Sequence, residues 1–203
     1  VQWFDQRLDA AAVEVADLFS KYRLSEALML VYKLFWDEFS SWLLEIVKPA
    51  YGQPINGFIY SMVLSSFERL LELLHPFMPF ITEEIYCTLN PEEESIMIAS
   101  WPEWKKEWDF KQDEKDVEMI KEAVRSIRGV RTEMNVPPSK KATVYVVAED
   151  ASVRETFEKG KIFFATLASA SEVLVQSDKN GIADDAVSAV IPQAVIYIPF
   201  AEL

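Results

Sequence analysis

From residue 24 to residue 47 apolar side chains recur at intervals of three and four. Leu24, Leu28, Val31, Phe35, Phe39, Trp42 and Ile46 form one helical stripe, while Leu30, Leu34 and Leu44 fall well outside it. A helix that is apolar around most of its circumference has to be packed by several neighbours, so this segment is expected at the centre of a helical assembly. It stops at Lys48-Pro49, where the proline cannot continue the hydrogen-bond ladder and the lysine complements the helix C-terminus.

The neighbours are legible on both sides. Residues 3–20 carry Leu8, Ala12, Val15 and Phe19 on one stripe, and residues 58–74, after the turn-rich AYGQPING, present Ile59, Met62, Val63, Phe67, Leu70 and Leu74. The stretch LLHPFMPFITEEIY, residues 73–86, then breaks and restarts the helical pattern. Pro76 is expected to hold His75 in extended geometry, and Pro79 suits the first turn of a new helix over 80–89 whose early acids, Glu83 and Glu84, sit near its positive end. His75, Pro76 and Pro79 are thus read as a structural corner between two apolar helices of a bundle.

Residues 91–112 form an irregular connection expected to lie across the bundle, anchored by Trp101, Trp104 and Trp108. From 113 to 134 Val117, Ile120, Val124, Ile127, Val130 and Met134 span one helical stripe, ended by VPPSK. The remainder changes character: strand-like 142–148, helical 151–168, then strand-like 172–176, 186–191 and 194–200. The expected fold is mostly α: an antiparallel helical bundle with its crossing segment over 1–112, then over 113–203 a helix and a small α+β unit with a mostly antiparallel sheet.

Composition excludes several classes. Half of the 203 residues are hydrophobic and 26% are charged, which suits a globular chain with a substantial core. One cysteine, Cys87, rules out an internal disulfide framework and suits a reducing compartment. No apolar run approaches the roughly 18 residues of a membrane span, and the start lacks the pattern of a signal peptide, so a cytoplasmic protein without a membrane association is expected. The net charge of −13 argues against general nucleic-acid binding. Its distribution is uneven: 8 basic and 18 acidic residues over 1–110 (−10), 8 and 6 over 111–145 (+2), 4 and 9 over 146–203 (−5).

Catalytic machinery is missing. One histidine and one cysteine cannot form the usual transition-metal site, and five scattered glycines make no phosphate loop, so no catalytic, metal or cofactor residues are expected. Cys87 reads as an inert packing residue and His75 as a hydrogen-bonded structural one rather than a general base. Glu38, Ser41 and Glu45 share the edge of the buried stripe of the second helix. They either pair with arginines of neighbouring helices, Arg69 or Arg23, or accept hydrogen bonds from an unstacked base. Lys121, Arg125 and Arg128 share a helix face, with Arg131 nearer the core and Lys140 and Lys141 just beyond. This is either a solvated charged face or a track for a phosphate backbone.

Taken together, LLHPFMPFITEEIY, the preceding RLSEALMLVYKLFWDEFSSWLLEIVKP and the crossing ESIMIASWP resemble the anticodon-binding domain of the class I aminoacyl-tRNA synthetases for valine, isoleucine, leucine and methionine. AVRSIRGVRTEMNVPPSKK and the strand-rich ending up to VIYIPF resemble the valyl branch. The isoleucyl branch, which often ends in a cysteine-ligated zinc region, is the nearest alternative. Where the family commonly has Cys-Asp-Trp-Tyr this chain has Ser40, Ser41, Trp42 and Leu43, and the family's HIGH and KMSKS signatures are absent, PPSKK at 137–141 not being a version of the latter. The resemblance therefore implies a C-terminal fragment of a longer ligase, inactive alone, followed by a coiled-coil arm. The parent would use ATP and Mg at a catalytic domain of the same polypeptide, and a monomer is expected. Its partner would be the anticodon stem and loop of valine tRNA. Trp36, off the main buried stripe, is the candidate stacking platform, and Lys33, Lys48, Arg125, Arg128, Lys140 and Lys141 are candidate phosphate contacts. A helical protein-interaction module that handles no RNA is the alternative from another class.

Overall fold

Helix formation follows the apolar periodicity. The structure, a computed structural model, describes residues 1–103 and 109–203. In the first of two compact units, Val1–Glu114, α1 (Gln2–Ser20) is followed by α2 (Leu24–Lys33), a π-helical segment (Leu34–Leu43) and α3 (Leu44–Val47). Lys33, Leu43 and Leu44 keep right-handed helical dihedrals at the joins, so these last three pieces form one rod. Between α1 and the rod, Tyr22 takes the left-handed conformation (φ 56°) and the Arg23 N–H donates to the Leu18 carbonyl at 2.9 Å, closing off the last turn. Asn56 opens α4 (Gly57–Leu74): its side-chain oxygen accepts from the N–H groups of Phe58 at 2.9 Å and Ile59 at 3.2 Å.

The rod meets its neighbours through rings. Phe39 lies 5.5 Å from Phe4 of α1 and 5.5 Å from Phe67 of α4, the second pair stacked, with Phe35 packed beside both Phe39 and Phe67. Around them Leu8, Leu43, Leu70 and Leu71 are buried, each such side chain stabilising the fold by about 1.5–3 kcal/mol. A polar clamp joins the same helices. Asp9 of α1 is 0% exposed, and it accepts from Arg69 of α4. Asp5, one turn earlier, accepts from the Ser66 hydroxyl at 2.7 Å and lies 3.9 Å from Arg69. The rod is not enclosed all round, however: Leu24, Leu28, Tyr32, Trp36 and Leu44 remain exposed. Its neighbours among the described residues cover only the side that faces α1 and α4.

The corner differs from expectation at His75. That residue is right-handed helical (φ −52°, ψ −42°), and its N–H donates to Leu71 at 2.8 Å. The steric bias that proline imposes on its predecessor is outweighed here by continuation of the ladder, with Phe77 and Met78 both donating to Leu74. The break falls instead at Met78 (φ −136°, ψ 64°), immediately before Pro79 opens α5 (Pro79–Leu89). His75 Nδ1 lies 2.7 Å from the Thr82 hydroxyl. The same hydroxyl stands 2.8 Å from Met78 O, so it links the imidazole to the backbone at the start of α5.

Glu83 lies beyond the first turn of α5 and ties down the crossing segment instead. Its Oε2 accepts from the Ser95 hydroxyl and the Ile96 N–H, both at 3.1 Å. Ile96 is buried with Leu71 and Tyr86. Trp101, further along, reaches Phe19 of α1 at 6.0 Å. Trp104 and Trp108, the other two expected anchors, lie outside the described residues.

Most of α6 (Lys111–Glu133) belongs to the second unit, Lys115–Leu203. Ile120, Val124 and Ile127 of its expected stripe are buried, whereas Met134 is exposed because the helix has already ended. Asn135 (φ 54°) turns the chain there, the Val136 N–H donating to Arg131 at 2.8 Å. Next come β1 (Ala142–Val147), α7 (Ala151–Leu167), β2 (Ala170–Gln176), β3 (Val187–Ile191) and β4 (Ala194–Ile198), with sheet order β2-β1-β4-β3. The sheet is mixed. The crossover through α7 makes β1 and β2 parallel, and the other two pairings are antiparallel. Gly160 lets α7 approach α6, since a Cβ there would stand 2.5 Å from the Ile120 methyl. Among the described residues no helix is long and apolar enough to cross a membrane.

Replacing Arg69 by Met leaves Asp9 charged, buried and unpaired; a loss of about 3–5 kcal/mol is expected in urea unfolding at pH 7. Glu72 supplies a pH test. Burial pushes its carboxyl up to about 7, against the charge of Arg69 and with that of Glu68. The folded chain therefore holds a proton that the unfolded chain releases near 4.5, so this contribution to stability is present at low pH and is lost as pH rises through about 7. Glu72→Gln is expected to raise stability by about 1 kcal/mol at pH 8, after discounting for solvent screening, and to change little at pH 4.

Candidate nucleic-acid interface

The rod presents an aromatic pair to solvent. Trp36 is 59% exposed and Tyr32 54%, and their rings stack 6.4 Å apart with planes only 6° from parallel. Their local backbone is unusual. The Leu44 N–H donates to Phe39 O, five residues back, and the Ser41 hydroxyl donates to Trp36 O at 2.9 Å, again five back. This π-helical register takes in an extra residue per turn, and such segments recur at functional sites. It also undoes the ideal helical wheel on which Glu38, Ser41 and Glu45 share an edge.

Beside the pair lies an apolar cavity of about 270 Å³, walled by Leu28, Phe35, Leu71, Met78 and Ile85 along with the two rings. A second cavity, about 360 Å³, shares Phe35 and continues past Phe39, Ser40, Leu44 and Tyr60. The two make a trough between the rod and α4, with α5 at one end. Flat apolar walls and exposed rings accept the face of a base or an apolar segment, with the hydroxyls of Tyr32, Ser40, Tyr60 and Thr82 as the polar groups of the lining.

The candidate cations of this unit are placed differently. Lys33 lies not in the trough but in a separate depression with Glu14, Asp37, Glu38 and Glu114. Lys48, at the rod's end, is paired with Glu45 at 3.4 Å. The arginines proposed as partners of Glu38 and Glu45 are engaged elsewhere, Arg69 by Asp9 and Asp5 and Arg23 by Glu26.

In the second unit most of the basic face is drawn into structure. Lys121 is 1% exposed, with its ammonium 3.0 Å from Glu118, so it does not belong to a solvated face. Arg125 pairs with the same carboxylate at 3.0 Å. Partial burial opposes ionisation of Glu118, but the bonds from Arg125 and Lys121 hold its carboxyl below the usual range. Arg128 donates to the Leu167 carbonyl at 2.7 Å, at the C-terminal end of α7, and buried Arg131 donates to Pro137 O at 3.1 Å. Lys140 donates to Leu203 O at 2.8 Å, while Lys141 is exposed just ahead of β1. No cluster of metal-ligating side chains occurs among the described residues. Burial and the Glu83 carboxylate push the Cys87 thiol up, away from the reactive thiolate.

Over residues 1–146 the chain matches the family described as the anticodon-binding domain of tRNA ligase. The chain belongs to that family. Valine–tRNA ligase of Bacteroides fragilis is 65% identical to this anticodon-binding chain over 136 residues, which are 67% of this chain and 16% of the relative. The valine–tRNA ligases of Clostridium tetani and Clostridium perfringens are 41% and 39% identical over 99% and 100% of this chain, and 23% of each relative. The chain thus spans about a sixth to a quarter of the length of these relatives.

Tyr32 was missed in the sequence, although it stands one turn before Trp36, the spacing at which helical side chains meet. Arg128→Ala is expected to lower stability by about 1 kcal/mol in thermal or urea unfolding through loss of its bond to Leu167.

Proposed function

We propose that this chain is the part of a valine–tRNA ligase that holds the anticodon stem and loop of valine tRNA. The rest of the longer polypeptide would activate valine with ATP and Mg and attach it to the far end of the same tRNA, as a cytoplasmic monomer. The observation that carries this reading is family membership over 1–146 combined with relatives at 39–65% identity, all bearing the name valine–tRNA ligase.

The geometry supplies a physical route. Anticodon bases are unpaired and can be splayed out, and a base laid on the Trp36–Tyr32 pair gains about 1–3 kcal/mol by stacking. Stacking tolerates any base, so discrimination rests on polar groups that reach base edges around the trough. Lys33 and Lys48 in the first unit, and Arg125, Arg128, Lys140 and Lys141 in the second, are the proposed phosphate contacts. Each except Lys141 has a carboxylate or carbonyl neighbour with which RNA must compete. With a net charge of −13 the chain has little long-range attraction for RNA, and its affinity alone is expected to be micromolar or weaker.

The apolar trough also fits a protein segment, which favours docking of a partner as a second reading. Titration with valine tRNA transcripts carrying matched or altered anticodons, at low salt, separates the two. Preferential binding of the matched transcript is expected, and Trp36→Ala should weaken it about tenfold or more. Equal binding of all transcripts would sink the anticodon reading.

A further inference from the structure

The family match ends at residue 146, within β1, so most of the sheet in the second unit carries no assigned role. Strand alternation decides what each face presents. Val144 and Val146 of β1 and Ile196 and Ile198 of β4 are buried, on the side where α7 packs along β2 and β1. The intervening residues belong to the opposite face: Thr143, Tyr145 and Val147 of β1, Val195 and Tyr197 of β4, Ser188 and Val190 of β3. Val190 is 76% exposed. Lys141, also exposed, precedes β1 in phase with this outer row.

Two tyrosines occupy the middle of that face. Tyr145 and Tyr197 are direct cross-strand partners on the two central strands. The Lys179 ammonium stands 5.3 Å from the centre of the Tyr197 ring. We propose that this outer face is a second contact for the same RNA, in which unpaired bases stack on Tyr145 and Tyr197 while Lys141 and Lys179 meet the connecting phosphates. The proposal rests on the reading of the chain as a tRNA-binding domain.

Both tyrosines are half-buried, and Lys179 stands over one face of the Tyr197 ring, so a base is met by the ring surface left open. Of the acids around the sheet, Glu202 accepts from the Thr143 N–H, and Glu155 and Glu158 pair with Lys159 and Lys161 on α7. Glu172 of β2 and Asp184 and Asp185 of the β2–β3 connection oppose the two lysines, so stacking rather than charge must carry the contact. Two phosphates met on a single strand imply a salt slope of only about −1.4 in log affinity against log salt.

The test uses the 203-residue chain and a dodecauridine bearing one central 2-aminopurine, whose fluorescence is quenched by stacking. Saturable quenching at low salt is expected from the unmodified chain. The double variant Tyr145→Leu/Tyr197→Leu should weaken it about tenfold or more at an unchanged melting temperature. Tyr145→Phe/Tyr197→Phe, which keeps both rings, should bind as the unmodified chain does. Lys141→Ala/Lys179→Ala should bring the salt slope towards zero. Absence of quenching, full binding by the Leu double variant, or quenching lost in Trp36→Ala but not in that variant would each overturn the proposal. Anticodon discrimination is read separately with whole transcripts: its failure alongside tyrosine-dependent quenching would remove the anticodon reading and leave this face in place.

Discussion

A carboxylate with no access to water, Asp9, is the constraint on which the first unit depends. Its charge is tolerable only where the Arg69 guanidinium reaches it, so α1 and α4 lock at one register. Ser66 and Asp5 extend the clamp by one turn. With α1 and α4 fixed, Phe4 and Phe67 become the two walls against which Phe39 of the rod packs, and the rod's rotation follows from that ring contact.

Rotation of the rod decides what is left outside. Packing one side on α1 and α4 leaves Leu28, Tyr32 and Trp36 towards solvent, and the π-helical register holds Trp36 parallel to Tyr32. An apolar helix so placed gives up some burial and leaves a flat aromatic surface exposed. Stacking is short in range and indifferent to net charge, which suits the proposed contact with RNA on an acidic molecule. The corner at His75 to Pro79 brings α5 back to close the end of the trough, with the His75–Thr82 bond holding the turn from inside.

In the second unit, charge that looks available in one dimension is largely engaged by the protein's own carboxylates and carbonyls. Buried Lys121 and Arg131 satisfy a carboxylate and a backbone carbonyl, as buried cations must, and exposed Arg128 donates to the end of α7. The outer sheet face, by contrast, owes its two rings and exposed valine to simple alternation along β1, β3 and β4.

Much of the architecture was legible in advance. Spacings of three and four located every long helix, alternation located the four strands, Pro79 marked the start of α5, and the bundle motifs pointed to the anticodon-binding family. These are local properties, fixed by backbone sterics and by the period at which side chains share a face. Three things depended on tertiary contacts. His75 stayed helical despite Pro76, and its ring met Thr82 of the next helix. Arg69 met Asp9 of α1, a partner that becomes near only when the two helices pack. Trp36 kept its exposure and Lys121 found its burial only once the helices had packed, since exposure belongs to the assembled surface and is not carried by any single segment.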